Sequence, residues 1–243
     1  MTAAIIVSAL AKSYGRTVAL ADVSFSVQAG SVYGLIGPNA AGKTTTLAIL
    51  AGLLDADSGT ASVSVDAQHI GFYSPQFGLF DYLTGREILV TCGRLQGVSR
   101  NEIENRANEL LSVLDLQEAA DHYLYEYSLG MRNKLGLATA LIHAPQVLLL
   151  DEPFEGLDTA SVYRIVKLLK RMAQSGRAIL LTSHDLALVE RVCDRVGVLH
   201  RGVIVREFEL SGSEESQKAS TELESRLWQL VGTPKEAELS WIS

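Results

Sequence analysis

The chain has 243 residues, 47% of them hydrophobic, and its 28 acidic against 21 basic side chains give a net charge of -7 and a pI near 5.3. That length can bury a sizeable core in one large domain or in a domain with an embedded subdomain. The acidic balance excludes a broad non-specific nucleic-acid surface while leaving room for a local basic patch, and no apolar run approaches the roughly 18 residues of a membrane-spanning helix.

The opening MTAAIIVSALAKSYG places no basic leader before its apolar residues, so a strand and a turn are expected rather than a signal peptide, with residence in the cytoplasm. Cys92 and Cys193 fall in helix-like segments without metal-ligand spacing, which suits a reducing compartment and ordinary thiols. From 5 to 27 the pattern alternates apolar and polar, as in VALADVSFSV, and predicts antiparallel strands.

A short apolar run at 31–36 predicts a buried strand that leads into Gly37, Pro38, Asn39, Ala40, Ala41, Gly42, Lys43 and Thr44, a match to GxxxxGK[ST]. Gly37 and Gly42 let the chain turn tightly so that backbone N–H groups face an anion, and TTTLAILA at 44–51 predicts a helix whose positive end faces the same point. Lys43 is then expected to reach the β- and γ-phosphates of a nucleoside triphosphate, and the Thr44 hydroxyl to ligate Mg²⁺.

A second strand pair is expected at 60–65 and 69–73, after which the texture becomes helical over most of 78–144. There Ser99 and Glu102 have capping-box spacing, with Ile103, Ala107, Leu110, Leu111 and Leu114 recurring behind them. The run at 146–150 predicts a parallel strand covered on both faces. It ends in Asp151, placed to orient Mg²⁺, and Glu152, placed as general base on an attacking water.

Asp158 is expected to cap a helix that buries Val162, Ile165, Val166, Leu169 and Met172 and ends at Gly176. A buried strand at 178–182, a helix at 185–193 and a last strand pair, VGVLH and VIVREF, follow. Strands and helices alternating around a phosphate loop define an α/β fold, a P-loop NTPase core with a mainly parallel sheet, an antiparallel β subdomain near the N-terminus and an inserted helical subdomain. The expected organisation is one cassette over 1–210, with the helical insertion at 78–144, and an acidic tail at 211–243 with a short amphipathic helix at 223–230.

Seven motifs occur in the order found in ATP-binding subunits of ABC transporters, and from about residue 5 to 208 the chain resembles that family. Besides the phosphate loop and VLLLDEP, they are Tyr14 in KSYG, Gln76 in YSPQFGLF, YSLGM at 127–131, GLD at 156–158 and His184 in LTSHDL. The resemblance implies that Tyr14 stacks on adenine, that the loop with Thr45 behind it binds phosphate, and that Gln76 senses Mg²⁺ and the attacking water where a membrane subunit docks. It further implies a catalytic set of Glu152, His184 and Gln76 and a metal set of Thr44, Gln76 and Asp151.

Ser128 can cap a helix and, with Gly130, offers a second phosphate surface. In the family two cassettes face head to tail, so Ser128 and Gly130 of one copy serve the nucleotide held by Lys43 of the other, and the D-loop match implies Asp158 among the nucleotide-binding residues. The implied cofactors are ATP and Mg²⁺. The implied partners are a transmembrane permease subunit and a second ABC ATPase, identical or paralogous, with no nucleic acid expected, and the implied location is the cytoplasmic face of a membrane. The YSLGM spelling is similar to that of exporter ATPases; the alternative is a soluble ABC-type ATPase acting on ribosomes or DNA. The chain departs from the family at Ala40, where Gly is common, and at Leu129 and Met131, which stand for Gly and Gln of LSGGQ.

Overall fold

The computed structural model of the chain describes residues 2–76, 78 and 80–210. The acidic tail and its expected short helix lie outside the described residues. In chain order the strands are β1 (Ala3–Tyr14), β2 (Thr17–Gln28), β3 (Val32–Ile36), β4 (Ser58–Val63), β5 (Ile70–Tyr73), β6 (Val147–Leu150), β7 (Ala178–Ser183), β8 (Arg195–His200) and β9 (Val203–Glu209). The helices are α1 (Lys43–Leu50), α2 (Gly85–Leu95), α3 (Arg100–Val113), α4 (Leu129–Leu141), α5 (Thr159–Gln174) and α6 (Leu186–Val192).

Among the described residues the strands form one sheet in the order β4, β1, β2, β9, β8, β3, β7, β6, β5. The central strands β3, β6 and β7 are buried at every position. Side chains alternate across each of them, so each strand feeds two cores. Val147 and Leu149 join Leu47, Leu50 and Val23 on one face, whereas Leu148 and Leu150 join Ile165, Leu169 and Val189 on the other. The mixed α/β fold with a parallel centre and an antiparallel β1, β2, β4 layer agrees with the expected class.

Two local expectations change. Residues 60–65 and 69–73 do not pair with each other: β4 runs antiparallel to β1, with Ile6 opposite Ser62, and β5 runs parallel to β6, with Tyr73 opposite Leu150. The chain between them makes a 3-10 turn at Ala67–His69 instead of a hairpin, so neighbours in sequence reach opposite edges of the sheet.

At α3, Ser99 occupies the N-cap position but its hydroxyl donates to Glu102 Oε2 at 2.7 Å and caps no backbone N–H. Arg106, one turn on, donates to Glu102 Oε1 at 3.1 Å while Oε2 stays with Ser99. The reciprocal box stands at α2, where Thr84 Oγ1 accepts from Glu87 N at 3.2 Å and Thr84 N donates to Glu87 Oε2 at 2.9 Å.

Cys193 lies just past α6 as its C-cap, and Cys92 lies within α2. Burial pushes both thiols up, so neither is a thiolate at neutral pH.

Candidate functional site: a phosphate loop against three strand ends

β3 ends at Ile36 and the loop turns under it into α1, whose N-cap is Gly42 at φ 108. A Cβ on Gly42 would lie 2.5 Å from the Ala19 carbonyl oxygen of β2, so both backbone angle and space demand glycine there. Ala40 takes the left-handed conformation as well, at φ 62, without glycine's freedom. Lys43 is 7% exposed, and its ammonium donates to the carbonyls of Gly37 at 2.8 Å and Pro38 at 3.3 Å.

The register of the parallel strands assembles the acidic side. Tyr73 and Leu181 both flank Leu150, so the residues that follow, Ser74, Asp151 and Thr182, stand abreast at the carboxyl edge of the sheet. Asp151 is 3% exposed, and its carboxylate accepts from Thr182 Oγ1 at 2.7 Å, Thr44 Oγ1 at 2.8 Å and Ser74 Oγ at 2.9 Å. Three donors around one buried carboxylate are what a charge needs where water is excluded.

Glu152 follows in a left-handed backbone conformation, φ 45, with its N–H donating to Thr182 Oγ1 at 3.0 Å. Its two oxygens are shared: Oε1 is 3.8 Å from the Lys43 ammonium, and Oε2 is 3.0 Å from His184 Nδ1 and 3.3 Å from His184 N. Ile36 of β3 pairs with Ser183 of β7, and that register brings His184 alongside Gly37.

These groups border an open cavity of about 810 Å³ lined by Tyr14, Asn39, Ala40, Ala41, Gly42, Lys43, Thr44, Thr45, Gln76, Asp151 and Glu152. Gly37 and Pro38 contribute their carbonyls to Lys43 from behind the loop, and His184 joins through Glu152. The cavity's other lining residues include Thr17, Val18, Leu53 and Leu54, which sequence reasoning did not single out. Ser74 and Thr182 were also missed, although Ser74 is the first residue past the apolar β5 and Thr182 the penultimate residue of the apolar β7, positions that meet Asp151 just past β6.

Ser128, Gly130 and Asp158 do not line this cavity. Ser128 caps α4, accepting from Met131 N at 3.3 Å, and α4 packs on the loop before α5: Asn133 Nδ2 donates to the Glu155 carbonyl at 2.7 Å, and a Cβ on Gly130 would lie 2.7 Å from the Gly156 carbonyl oxygen. Asp158 caps α5, and hydrogen bonds from the Ser161 hydroxyl and amide hold its carboxyl down at about 2. Helix N-terminus and capped aspartate therefore form one exposed surface, separate from the cavity of their own chain.

The oxygen donors beside the loop fit Mg²⁺. A hydroxyl and a carboxylate, Thr44 and Asp151, meet at 2.8 Å, and among the described residues no cluster of three or more His, Cys, Asp or Glu offers a dense protein cage. Mg²⁺ is bound through one or two carboxylates and keeps several waters, so this sparse set suits it.

A glycine-bearing loop at a helix N-terminus, a buried lysine and two strand-end carboxylates at the edge of a parallel sheet define a phosphate-loop ATPase. The model of the family described as ABC transporter matches residues 20–155, and the chain belongs to that family of ATP-binding, ATP-hydrolysing transporter subunits.

The chain is 37% identical over 219 residues to the uncharacterized ABC transporter ATP-binding protein YxlF of Bacillus subtilis (strain 168), covering 88% of this chain and 74% of that one. It is 39% identical over 201 residues to the Nod factor export ATP-binding protein I of Burkholderia lata, covering 79% of this chain and 66% of that one. A solved dimeric ATP-binding cassette, in a post-hydrolysis state bound to ADP and Pi, superposes with a TM-score of 0.79 at 26% identity, covering 86% of this chain and all (100%) of that one. Among the described residues no helix is long and apolar enough to cross a membrane.

Proposed function

We propose that this chain binds Mg²⁺ and ATP at the Lys43 cavity, hydrolyses the γ-phosphate with Glu152 as base, and drives export through a partner that spans the membrane. The observation that carries the reading is the contact at 2.8 Å between Thr44 Oγ1 and Asp151 Oδ2, which joins the phosphate loop to the acidic strand end.

The loop's backbone N–H groups and Lys43 bind the phosphates, and Lys43 exchanges its two carbonyl acceptors for phosphate oxygens. Thr44 and Asp151, with Gln76 at the rim, would hold Mg²⁺; that ion supplies neutralisation of charge on the transferring phosphoryl group. Glu152 takes a proton from water as the water oxygen bonds to the γ-phosphorus and the bond to the ADP oxygen breaks. His184 holds Glu152 Oε2 in place while this happens. ADP and inorganic phosphate are the products.

The surface made by Ser128, Gly130 and Asp158 is supported as the second half of a nucleotide site in a head-to-tail pair, since it is an exposed helix N-terminus that its own cavity does not use. The dimeric state of the related cassette and the export function in the name of one relative support pairing and direction. Such a pair would sit on the cytoplasmic face of the membrane against the permease. The test is Mg²⁺-dependent phosphate release by the purified chain: wild type releases phosphate, and Lys43→Ala abolishes release together with nucleotide binding. Release that persists undiminished in Lys43→Ala would contradict the assignment of the cavity.

A further inference from the structure

The turn between β8 and β9 carries no group that hydrolysis uses, yet its backbone lies where the phosphate loop is built. His200 pairs with Val203, so Arg201 and Gly202 make the turn, and both take left-handed angles, φ 49 and φ 75. Those angles are what the tight I′ hairpin requires. The Gly202 carbonyl accepts from Ala21 N at 2.8 Å and Asp22 N at 3.2 Å, which docks the turn on β2.

The contact is backbone against backbone. A Cβ on Gly202 would lie 2.7 Å from Ala21 N, 2.9 Å from Leu20 Cα and 3.0 Å from the Ala19 carbonyl oxygen. The same oxygen would lie 2.5 Å from a Cβ on Gly42, so Ala19 is met by one glycine from the turn and by another from the start of α1. At the other end of the loop, a Cβ on Gly37 would collide with the carbonyl oxygen of Leu199, which stands beside it because Ile36 pairs with Val198. Both glycines that bound the phosphate loop are thereby braced on the β8–β9 hairpin, Gly37 directly and Gly42 through Ala19.

From this arrangement we infer that Gly202 is a positioning residue for the phosphate loop, setting nucleotide affinity by holding Ala19 and Leu20 against Gly42. Ala19 lines the Lys43 cavity and Gly202 does not, so the effect passes through β2. The inference rests on the reading of the cavity as a nucleoside triphosphate site and adds to it a residue from outside the motifs.

Backbone N–H groups hold a phosphate only while they converge on it, and a misplacement of about 1 Å in a reactive site costs on the order of a hundredfold. Glycine at 202 leaves no room for a methyl group between turn and β2, and glycine at 42 leaves none between β2 and the loop. A push at Gly202 therefore reaches the loop, because close-packed interiors transmit strain. Glu152 and His184 follow β6 and β7, outside this stack, and keep their arrangement.

The full chain is titrated with ATP and assayed for Mg²⁺-dependent turnover as wild type, Gly202→Ala, Gly97→Ala, Arg201→Asn and Lys43→Ala. Gly97 has the same φ of 75 with nothing within 4 Å of its Cβ position, so Gly97→Ala carries the strain without the contact. Arg201→Asn keeps the turn and removes its charge. Gly202→Ala is expected to raise both the Kd and the KM for ATP by about tenfold or more with kcat within about twofold, while Gly97→Ala and Arg201→Asn leave all three near wild type. A second measurement needs no variant and decides the matter should Gly202→Ala fail to fold. Coupling is reciprocal, so Mg²⁺ with ADP is expected to slow hydrogen exchange at the Ala21 and Asp22 amides of the wild type more than at the Val98 amide, which bonds to the Gly93 carbonyl. Unchanged ATP affinity in folded Gly202→Ala while Lys43→Ala abolishes binding, an equal loss in Gly97→Ala or Arg201→Asn, or exchange at Ala21 and Asp22 unaltered by ADP would each overturn the inference. ATP binding unchanged in Lys43→Ala would overturn it together with the reading of the cavity beneath it.

Discussion

His184 Nδ1 lies 3.0 Å from Glu152 Oε2, while the other oxygen of the same carboxylate lies 3.8 Å from the Lys43 ammonium. One carboxylate thus joins the end of β7 to the phosphate loop, and its backbone at φ 45 is pinned by Thr182. The imidazole donates through Nδ1–H in this arrangement, so it orients Glu152 without having to be charged.

His184→Ala should therefore lower kcat by about a hundredfold and leave the ATP dissociation constant within a few-fold, because the histidine fixes the geometry of the base and not the phosphates. Single-turnover phosphate release with a parallel binding titration separates the two. Equal losses in binding and turnover would assign His184 to substrate binding instead.

Thr182 is fully buried, donates to Asp151 Oδ1 and accepts from Glu152 N. Thr182→Val keeps the shape and removes both bonds, which should cost about 2 kcal/mol in unfolding free energy, with Ser74→Ala costing about 1 kcal/mol. Chemical denaturation measures both. Turnover of Thr182→Val should fall further than stability explains, since the strained backbone of Glu152 loses its anchor.

Ala40 at φ 62 is strained relative to glycine by roughly 1 kcal/mol, so Ala40→Gly should tighten nucleotide binding by up to about fivefold. Isothermal titration with ATP reads this directly. Unchanged or weaker binding would mean that the extra backbone freedom of glycine in the free loop cancels the relieved strain.

His143 Nε2 is 3.2 Å from the Ile70 carbonyl, its Nδ1 is buried without a partner, and burial with nearby His69 and Arg106 pushes its pKa below the ordinary histidine value. The folded state thus binds this proton less readily than the unfolded chain. Its contribution to stability is fully present above the unfolded value near 6.5 and is lost as pH falls through the folded one. Denaturation midpoints between pH 8 and pH 5 should fall on acidification, and His143→Gln should flatten that part of the profile.

If Ser128 serves the nucleotide of a second copy, Lys43→Ala and Ser128→Arg should each be inactive alone, yet their equimolar mixture should recover roughly a quarter of wild-type turnover, because half the pairs are mixed and each mixed pair holds one intact site. No recovery on mixing, with both variants folded and dimer formation demonstrated, would place Ser128 outside the nucleotide site.

Much of this architecture was legible because its signals are local. The loop's glycines and lysine, the four apolar residues before Asp151 and the Asp158 cap each follow from a few adjacent side chains. The partners of Asp151 were not legible, since Ser74 and Thr182 lie 77 and 31 residues away and meet it only through strand register. The misplaced pairing of β4 and β5 has the same origin: pairing depends on which neighbour the whole sheet supplies. At Ser99 the expected box is incomplete because the hydroxyl donates to the Glu102 carboxylate and accepts from no backbone N–H, a choice that spacing within the first turn does not reveal.

The central claim is that Glu152 is the base of an ATP-hydrolysing site, and the most direct measurement is phosphate release from Mg²⁺ and ATP by Glu152→Gln, read against ATP binding by the same protein. The account predicts that binding survives while turnover falls by at least about a hundredfold. Turnover equal to wild type, with binding intact, would contradict it.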